Sequence, residues 1–396
     1  MLSSSQSTRL WRLISKHNTP TTITPLSQWR HLNKQYQPRP NLLLTTRHVT
    51  AAIQQQQQQE NKGTKFKPID DTPPLAQLPK LYKELSKAKL ACLVALTTMC
   101  GYAMAPGAAS VSTLIYTTVG TTLCISSANA INQWIEIPYD AQMLRTRNRI
   151  LGRRSISPFH AFSFGTLTGA AGVTMLGTMV NPLTAALGAA NIFLYTCVYT
   201  PMKRSSIANT WVGAVVGGIP PMMGWTAMTN GLEPGAWVLG GLLYAWQFPH
   251  FNSLAWNLRA DYSKAGYRMM AVTDPKLNAR VSLRYALAMV PLSLSIPYLG
   301  LTSWWFALDS SIANAGLIYG AYRFYKKSDE KNARQLFFGS IVHLPVLMAL
   351  LMVHKVYDMD MSHLLSWDDD FIDEEESQSQ QSLAPSPLHQ QQSSSS

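Results

Sequence analysis

Residues 132–149, NQWIEIPYDAQMLRTRNR, decide how this chain is read. They follow an apolar run, 112–130, that fits inside a lipid bilayer. A hydrocarbon core about 30 Å thick takes roughly 20 apolar residues of helix. Directly beyond the run, Asn132, Glu136 and Asp140 recur at intervals of four, and Arg145, Arg147 and Arg149 follow. Intervals of four place side chains on one stripe of a helix. Two carboxylates and an amide oxygen on one stripe suit a hard divalent cation. Mg2+ takes one or two carboxylates and leaves its other positions to water and phosphate oxygens. Arginines just downstream would meet those phosphate oxygens. A plainer reading, in which the acids pair with the nearby arginines, fits the same spacing.

The same alternation of apolar run and polar cluster extends along the chain. Apolar windows of membrane-crossing length lie near 89–106, 110–130, 160–180, 183–200, 210–229, 235–254, 281–300, 304–323 and 336–355. Charged residues are 14% of the chain, against about 25% in soluble domains. The connections after the second, fourth, sixth and eighth windows hold clusters of Lys and Arg, and those after the odd windows hold none. That asymmetry is the positive-inside pattern. The expectation is an all-α, polytopic membrane helix bundle of about nine transmembrane helices, with one cation-rich face.

The ends differ from the middle. Residues 1–59 contain no Asp or Glu, and Arg9, Arg12, Lys16, Arg30, Lys34, Arg39 and Arg47 are scattered among Ser and Thr. An amphipathic, basic, acid-free leader reads as a mitochondrial transit peptide. Gln54 opens a run of six glutamines, and residues 357–396 are acidic and then rich in Ser and Gln. Neither composition can bury a core, so both segments are expected to be disordered. Residues 60–88 form a polar lead-in ending LYKELSKAK, suited to a membrane surface.

Other classes are excluded by the same inspection. Cys92, Cys100, Cys124 and Cys197 all lie in apolar runs and form no Cys-x-x-Cys pair. They read as small buried residues, and neither a disulfide framework nor a zinc site is supported. The net charge of +12 is spread over the leader and the connections. Divided between a leader and several inter-helix clusters, it gives no case for nucleic acid.

Two further constellations fall on the cation-rich face. In YTPMKRSSIANTWVGAVVGGIPPMMGW (199–225), Tyr199, Lys203 and Arg204 stand where the fourth helix meets the fifth. Lys203 and Arg204 would bind phosphate or anchor topology, and Pro220 and Pro221 are expected to break or kink the fifth helix. In YAWQFPHFNSLAWNLRADYSKAGYRMM (244–270), His250 sits near the end of the sixth helix, and Arg259 and Asp261 follow. Ionisable groups at membrane depth are functional candidates. His250 suits a metal, a substrate, a proton transfer or a simple buried hydrogen bond.

Together these three motifs, extended by RQLFFGSIVHLP (334–345), resemble the UbiA-type intramembrane prenyltransferases, in the branch that farnesylates heme. The resemblance implies the UbiA-type fold over residues 89–356. It also implies transfer of the farnesyl group of farnesyl diphosphate to a vinyl group of heme B, giving heme O. It implies Mg2+ held by Glu136, Asp140 and Asp261, with Asn132, Tyr199 and His250 at the reacting groups. Arg145, Lys203, Arg204 and Arg259 would bind the diphosphate. The second acidic motif matches in part, with Asp261 followed by Tyr262 where relatives carry several Asp, which bears on the number of metal ions. With the leader, the resemblance places the protein in the mitochondrial inner membrane, its active face toward the matrix, alongside cytochrome c oxidase assembly factors. The alternatives are a UbiA-type enzyme acting on an aromatic quinone precursor, a transporter, or a non-catalytic assembly scaffold.

Overall fold

The structure is a computed structural model that describes residues 74–356. The leader, the glutamine run, the start of the lead-in and the acidic tail lie outside the described residues, and so do the expectations made for them. Among the described residues nine long helices follow one another. They are α1 (Ala88–Met104), α2 (Val111–Ile135), α3 (Pro158–Met179), α4 (Pro182–Phe193), α5 (Asn209–Thr229), α6 (Pro234–Asn257), α7 (Pro275–Tyr298), α8 (Trp305–Lys326) and α9 (Glu330–Val353). Each falls on an apolar window of the sequence. No strand is present among the described residues, only an isolated bridge between Thr302 and Lys355.

Three segments are long and apolar enough to cross a membrane by length and composition: Val111–Ile135, Pro182–Ser205 and Glu330–Val353. Ala88–Met104 is a shorter apolar helix. The remaining helices owe their lower apolarity to Gly, Pro and charged ends, such as Lys276, Arg280 and Arg284 on α7. Nine helices stand where they were expected; nine membrane crossings remain an expectation.

Local chemistry sets the helix starts. The side chains of Ser110, Ser157, Asn181, Asp274 and Asp329 each accept from a backbone N–H of the following turn, capping α2, α3, α4, α7 and α9. Proline follows directly in α3, α4 and α7, where its missing N–H costs nothing. Of the break or kink expected at Pro220 and Pro221, the break does not occur; the helix runs through them from Asn209 to Thr229. This stretch is buried against α1 and α6, and such packing can hold a helix through the loss of its own hydrogen bonds.

The helices pack in sequential neighbours, and α5 also lies against α1 and α2. The α1–α5 approach is closest at glycine. A Cβ at Gly224 would collide with Thr98 O, and one at Gly101 with Pro221 O. α9 returns to α1, where Lys355 Nζ donates to the carbonyls of Ala103 (2.6 Å) and Ala105 (3.1 Å). Up-and-down connectivity sends the lead-in and all even-numbered connections to one end of this bundle. There the short helix Leu78–Leu85 buries Leu81 and Leu85 against Ala130, Ile150 and Ile156.

Candidate active site

The stretch that opened the sequence reading keeps its register. α2 ends at Ile135, yet Glu136 N donates to Asn132 O (3.0 Å) and Asp140 N to Glu136 O (2.8 Å). One helical path therefore carries all three side chains, although Pro138 starts a new turn, Ile137–Asp140. Asn132, Glu136 and Asp140 are all buried.

Cations from three connections converge on this stripe. Lys203 Nζ lies 2.5 Å from Glu136 Oε1. Arg149 lies 2.6 Å from Asp140 Oδ2 and 3.5 Å from Glu136 Oε2. Lys87, in the link between Leu78–Leu85 and α1, donates to Asn132 Oδ1 at 3.1 Å. Lys87 has φ 50°, a left-handed conformation uncommon outside glycine. Asn132 Nδ2 donates to Thr200 Oγ1 (2.9 Å), which ties the stripe to the segment after α4.

That segment is irregular for a reason. α4 passes into a π-helical turn, Leu194–Tyr199, and then into Thr200–Ser205. Thr200 Oγ1 donates to Tyr195 O (2.8 Å) across the wide turn. π-turns recur at functional sites because they re-aim side chains. Here Lys203 Nζ stands 4.6 Å above the Tyr199 ring. The Lys203 carbonyl accepts from Arg268 N (2.7 Å), and Asn209 Nδ2 donates to Arg268 O (3.2 Å), so the α6–α7 connection braces the same lysine. Tyr262 and Tyr267, both buried, come from that connection, and Tyr267 packs on Tyr139 at 5.8 Å between ring centres.

The electrostatics separate the two acids. Burial pushes the Glu136 carboxyl up, but Lys203, Lys87 and Arg149 together hold it below the ordinary range. Asp140 ends above its ordinary value, because burial and the Glu136 charge outweigh the pull of Arg149. Burial, with the charge of Arg149, brings Lys87 down to about 7. Lys203 and Arg149 balance the two carboxylates, and Lys87 adds a positive charge when it is protonated.

Residues expected from the sequence divide into those brought together and those held apart. Asn132, Glu136, Asp140, Tyr199 and Lys203 form one site. Arg204 stands beside it, donating to the Tyr139 hydroxyl (2.9 Å) with its guanidinium 4.7 Å from that ring. Arg145 is exposed on the α2–α3 connection. Asp261 is half-buried on the short helix Arg259–Lys264, whose buried residue is Tyr262. No group of three His, Cys, Asp or Glu that could hold a metal ion forms among the described residues. Arg259 lies 4.7 Å from the Trp256 ring and 3.8 Å from Glu330. His250 is stacked between Trp246 (4.6 Å) and Phe337 (4.9 Å), and its Nδ1 is 2.9 Å from Ser340 Oγ. These contacts tie Arg259 and His250 to α9 rather than to the Glu136 stripe.

Sequence reasoning passed over three contributors. Lys87 looked like one more cation of a surface lead-in. Arg149 looked like a downstream arginine no different from Arg145. Tyr262 looked like a departure from an acidic motif, and the structure buries it on the short helix Arg259–Lys264.

Residues 94–342 match the UbiA prenyltransferase family. The chain belongs to that family. The human mitochondrial protoheme IX farnesyltransferase is 53% identical to it over 278 residues, 70% of this chain, and the match spans 63% of the human protein's length. A solved structure of a digeranylgeranylglyceryl phosphate synthase shares the fold, with a TM-score of 0.61 at 14% identity over 69% of this chain and 97% of that one. So does a UbiA homologue from Archaeoglobus fulgidus bound to GPP and Mg2+, with a TM-score of 0.52 at 11% identity over 68% of this chain and 99% of that one. Within this UbiA member, the donor set can be tested against Mg2+. Asp140 Oδ1 is buried and has no hydrogen-bond partner. A free carboxylate oxygen one turn from Glu136 is a donor that a hard cation can use. That oxygen fits the ion, whereas the Glu136 oxygens and Asn132 Oδ1 face Lys203, Arg149 and Lys87 and would have to exchange those contacts to join it.

Proposed function

We propose that this chain transfers the farnesyl group of farnesyl diphosphate to a vinyl group of heme B, forming heme O in a mitochondrial membrane. The observation that carries the reading is the buried cluster of Lys203, Arg149 and Lys87 around Glu136, Asp140 and Asn132. A diphosphate leaves only when its growing negative charge is neutralised. Fixed cations in a low-dielectric site do this without reorganising at the moment of reaction. The 53% identity to the human protoheme IX farnesyltransferase favours heme as the acceptor over an aromatic quinone precursor.

In this reading Lys203 and Arg149 exchange part of their contact with the carboxylates for diphosphate oxygens, and Lys87 meets the same anion from the lead-in. Asp140 and Glu136, with Asn132 beside them, would hold Mg2+, which would supply further positive charge against the diphosphate. The C1–O bond of the farnesyl group breaks and its electron pair leaves with the diphosphate. The vinyl carbon of heme supplies the pair for the new C–C bond, and water adds to the resulting cation with loss of a proton. No nucleophilic side chain is needed. The Tyr199 ring, already under Lys203, and Tyr195 at 5.4 Å from it offer faces for the allylic cation. Arg145, Arg204 and Arg259 are proposed at the rim, where they meet the incoming anion, Asp261 as a further carboxylate for the ion, and His250 as a group that orients the acceptor from α6.

The test is heme O formation by the purified full chain with heme B, farnesyl diphosphate and Mg2+. Product is expected with the ion and is lost on chelation. Release of diphosphate without heme O, together with prenylation of an aromatic acid, would shift the reading to the quinone branch. No release with any acceptor would leave a transporter or scaffold.

A further inference from the structure

A groove of about 540 Å³ lies between α8 and α9, away from the cluster above. Gly316 and Gly320 of α8 and Gly339 of α9 line it. A Cβ added at Gly316 or Gly339 would meet no atom within 4 Å, so close packing of the two helices does not require glycine there. Exposed Tyr319, Val342 and Val346 also line it.

One end of the groove is polar. Arg323 lines it there, its guanidinium 5.8 Å from the Tyr319 ring, and forms no ion pair among the described residues. Asn332 lines the same groove and is only 7% exposed. Its Nδ2 donates to Lys327 O (3.0 Å), while its Oδ1 has no partner. Lys331 and Arg334 stand alongside; of the two acids near them, Glu330 reaches toward Arg259, and Asp329 accepts from Asn332 N (2.8 Å) and pairs with Lys327 (3.4 Å). The groove is thus apolar along its length, with a cation and an unused hydrogen-bond acceptor at one end.

That pattern matches a single kind of amphiphile. Basic pockets beside membrane helices take anionic headgroups, and Asn332 Oδ1 asks for a donor. We infer that the α8–α9 groove binds an anionic phospholipid whose headgroup carries a hydroxyl. Its acyl chain lies over Gly316, Gly320 and Gly339, its phosphate meets Arg323, and its hydroxyl donates to Asn332. A zwitterionic choline lipid offers no donor and presents a cation to Arg323. The inference is independent of the transfer reaction.

The full chain would be reconstituted in phosphatidylcholine vesicles holding a minor fraction of phosphatidylglycerol, then extracted, and its retained lipid measured by native mass spectrometry. Phosphatidylglycerol is expected to be enriched over its bulk share, and Arg323→Gln to lower that enrichment about fivefold. Gly316→Leu with Gly339→Leu fills open space, leaves folding intact and abolishes retention. Equal retention of both lipids, or wild-type retention in both variants, would overturn the inference. Complete displacement by inorganic phosphate would also overturn it, since that describes a bare anion site.

Discussion

At the scale of single residues, the site is a contest between burial and pairing. Lys203 and Glu136 are both buried and 2.5 Å apart. Removing one partner of such a pair leaves an uncompensated charge and costs about 3–5 kcal/mol, whereas replacing both by neutral groups of similar shape is close to neutral. Lys203→Met is therefore expected to lower both the melting temperature and activity. Lys203→Met with Glu136→Gln should recover the melting temperature but stay about a hundredfold or more below wild type in heme O formation. Melting curves in detergent and turnover assays on the same preparations separate the two effects. Asp140→Asn removes the free carboxylate oxygen and is expected to cost activity by a similar factor, with little change in affinity for heme.

Lys87 adds a pH dependence of definite sign. Its folded value is brought down to about 7, while an unfolded lysine holds its proton to about 10.4. Between those values the unfolded chain binds more protons, so stability rises with pH there, and below about 7 the burial cost is fully present. Function runs the other way. The protonated amine attracts diphosphate, so KM for farnesyl diphosphate should rise as pH passes about 7. Lys87→Met is expected to raise KM and flatten that step, and Lys87→Arg to keep KM low across the range. An unchanged step in Lys87→Met would assign the titration elsewhere.

At the scale of elements, helix positions were legible because caps, prolines and apolar windows coincide. The pairing of acid and cation at the end of α2 was legible because i→i+4 spacing survives the change of helix at Pro138. What could not be read was how the connections fold back. Thr146 Oγ1 donates to Asp140 O (3.0 Å), which turns the α2–α3 connection and delivers Arg149, nine residues on, while Arg145 stays exposed with its charge reaching Tyr262. Nothing in RTRNR ranks one arginine over another, because the choice is made by tertiary contact. The same holds for Lys87, whose role depends on a left-handed residue between two helices, and for Pro220 and Pro221, which leave α5 unbroken between neighbours on both sides. The α1–α5 contact gives a test. Ala is favoured over Gly inside a helix by up to about 1 kcal/mol. Gly224→Ala would nevertheless drive a methyl into Thr98 O, backbone that cannot swing aside. Overpacking of this kind costs about 1–3 kcal/mol. Gly224→Ala is thus expected to lower the melting temperature, whereas Gly316→Ala, with nothing near its Cβ, should raise it or leave it unchanged.

At the scale of the whole molecule, the arrangement depends on one end of the bundle collecting every connection that carries cations. Lys87, Arg149 and Lys203 come from three separate connections, and the backbone N of Arg268, from a fourth, bonds Lys203 O; they meet only because α1, α2, α4 and α6 all begin or end there. Positive connections stay on the side from which a membrane protein is inserted, so the charge pattern that fixes orientation also supplies the anion site. Single cysteines in a background without Cys92, Cys100, Cys124 and Cys197 test this. Cysteine at exposed Asn148 or Ser263 should react with a membrane-impermeant maleimide from one side. Cysteine at exposed Asn230 or Trp304, in connections without Lys or Arg, should react only from the other. Protection of Asn148 and Ser263 positions by farnesyl diphosphate with Mg2+, but not by the diphosphate alone in chelator, would tie the same end to the bound anion. Labelling of the two positions from opposite sides would mean that the connections never meet, and the cluster could not serve as a site.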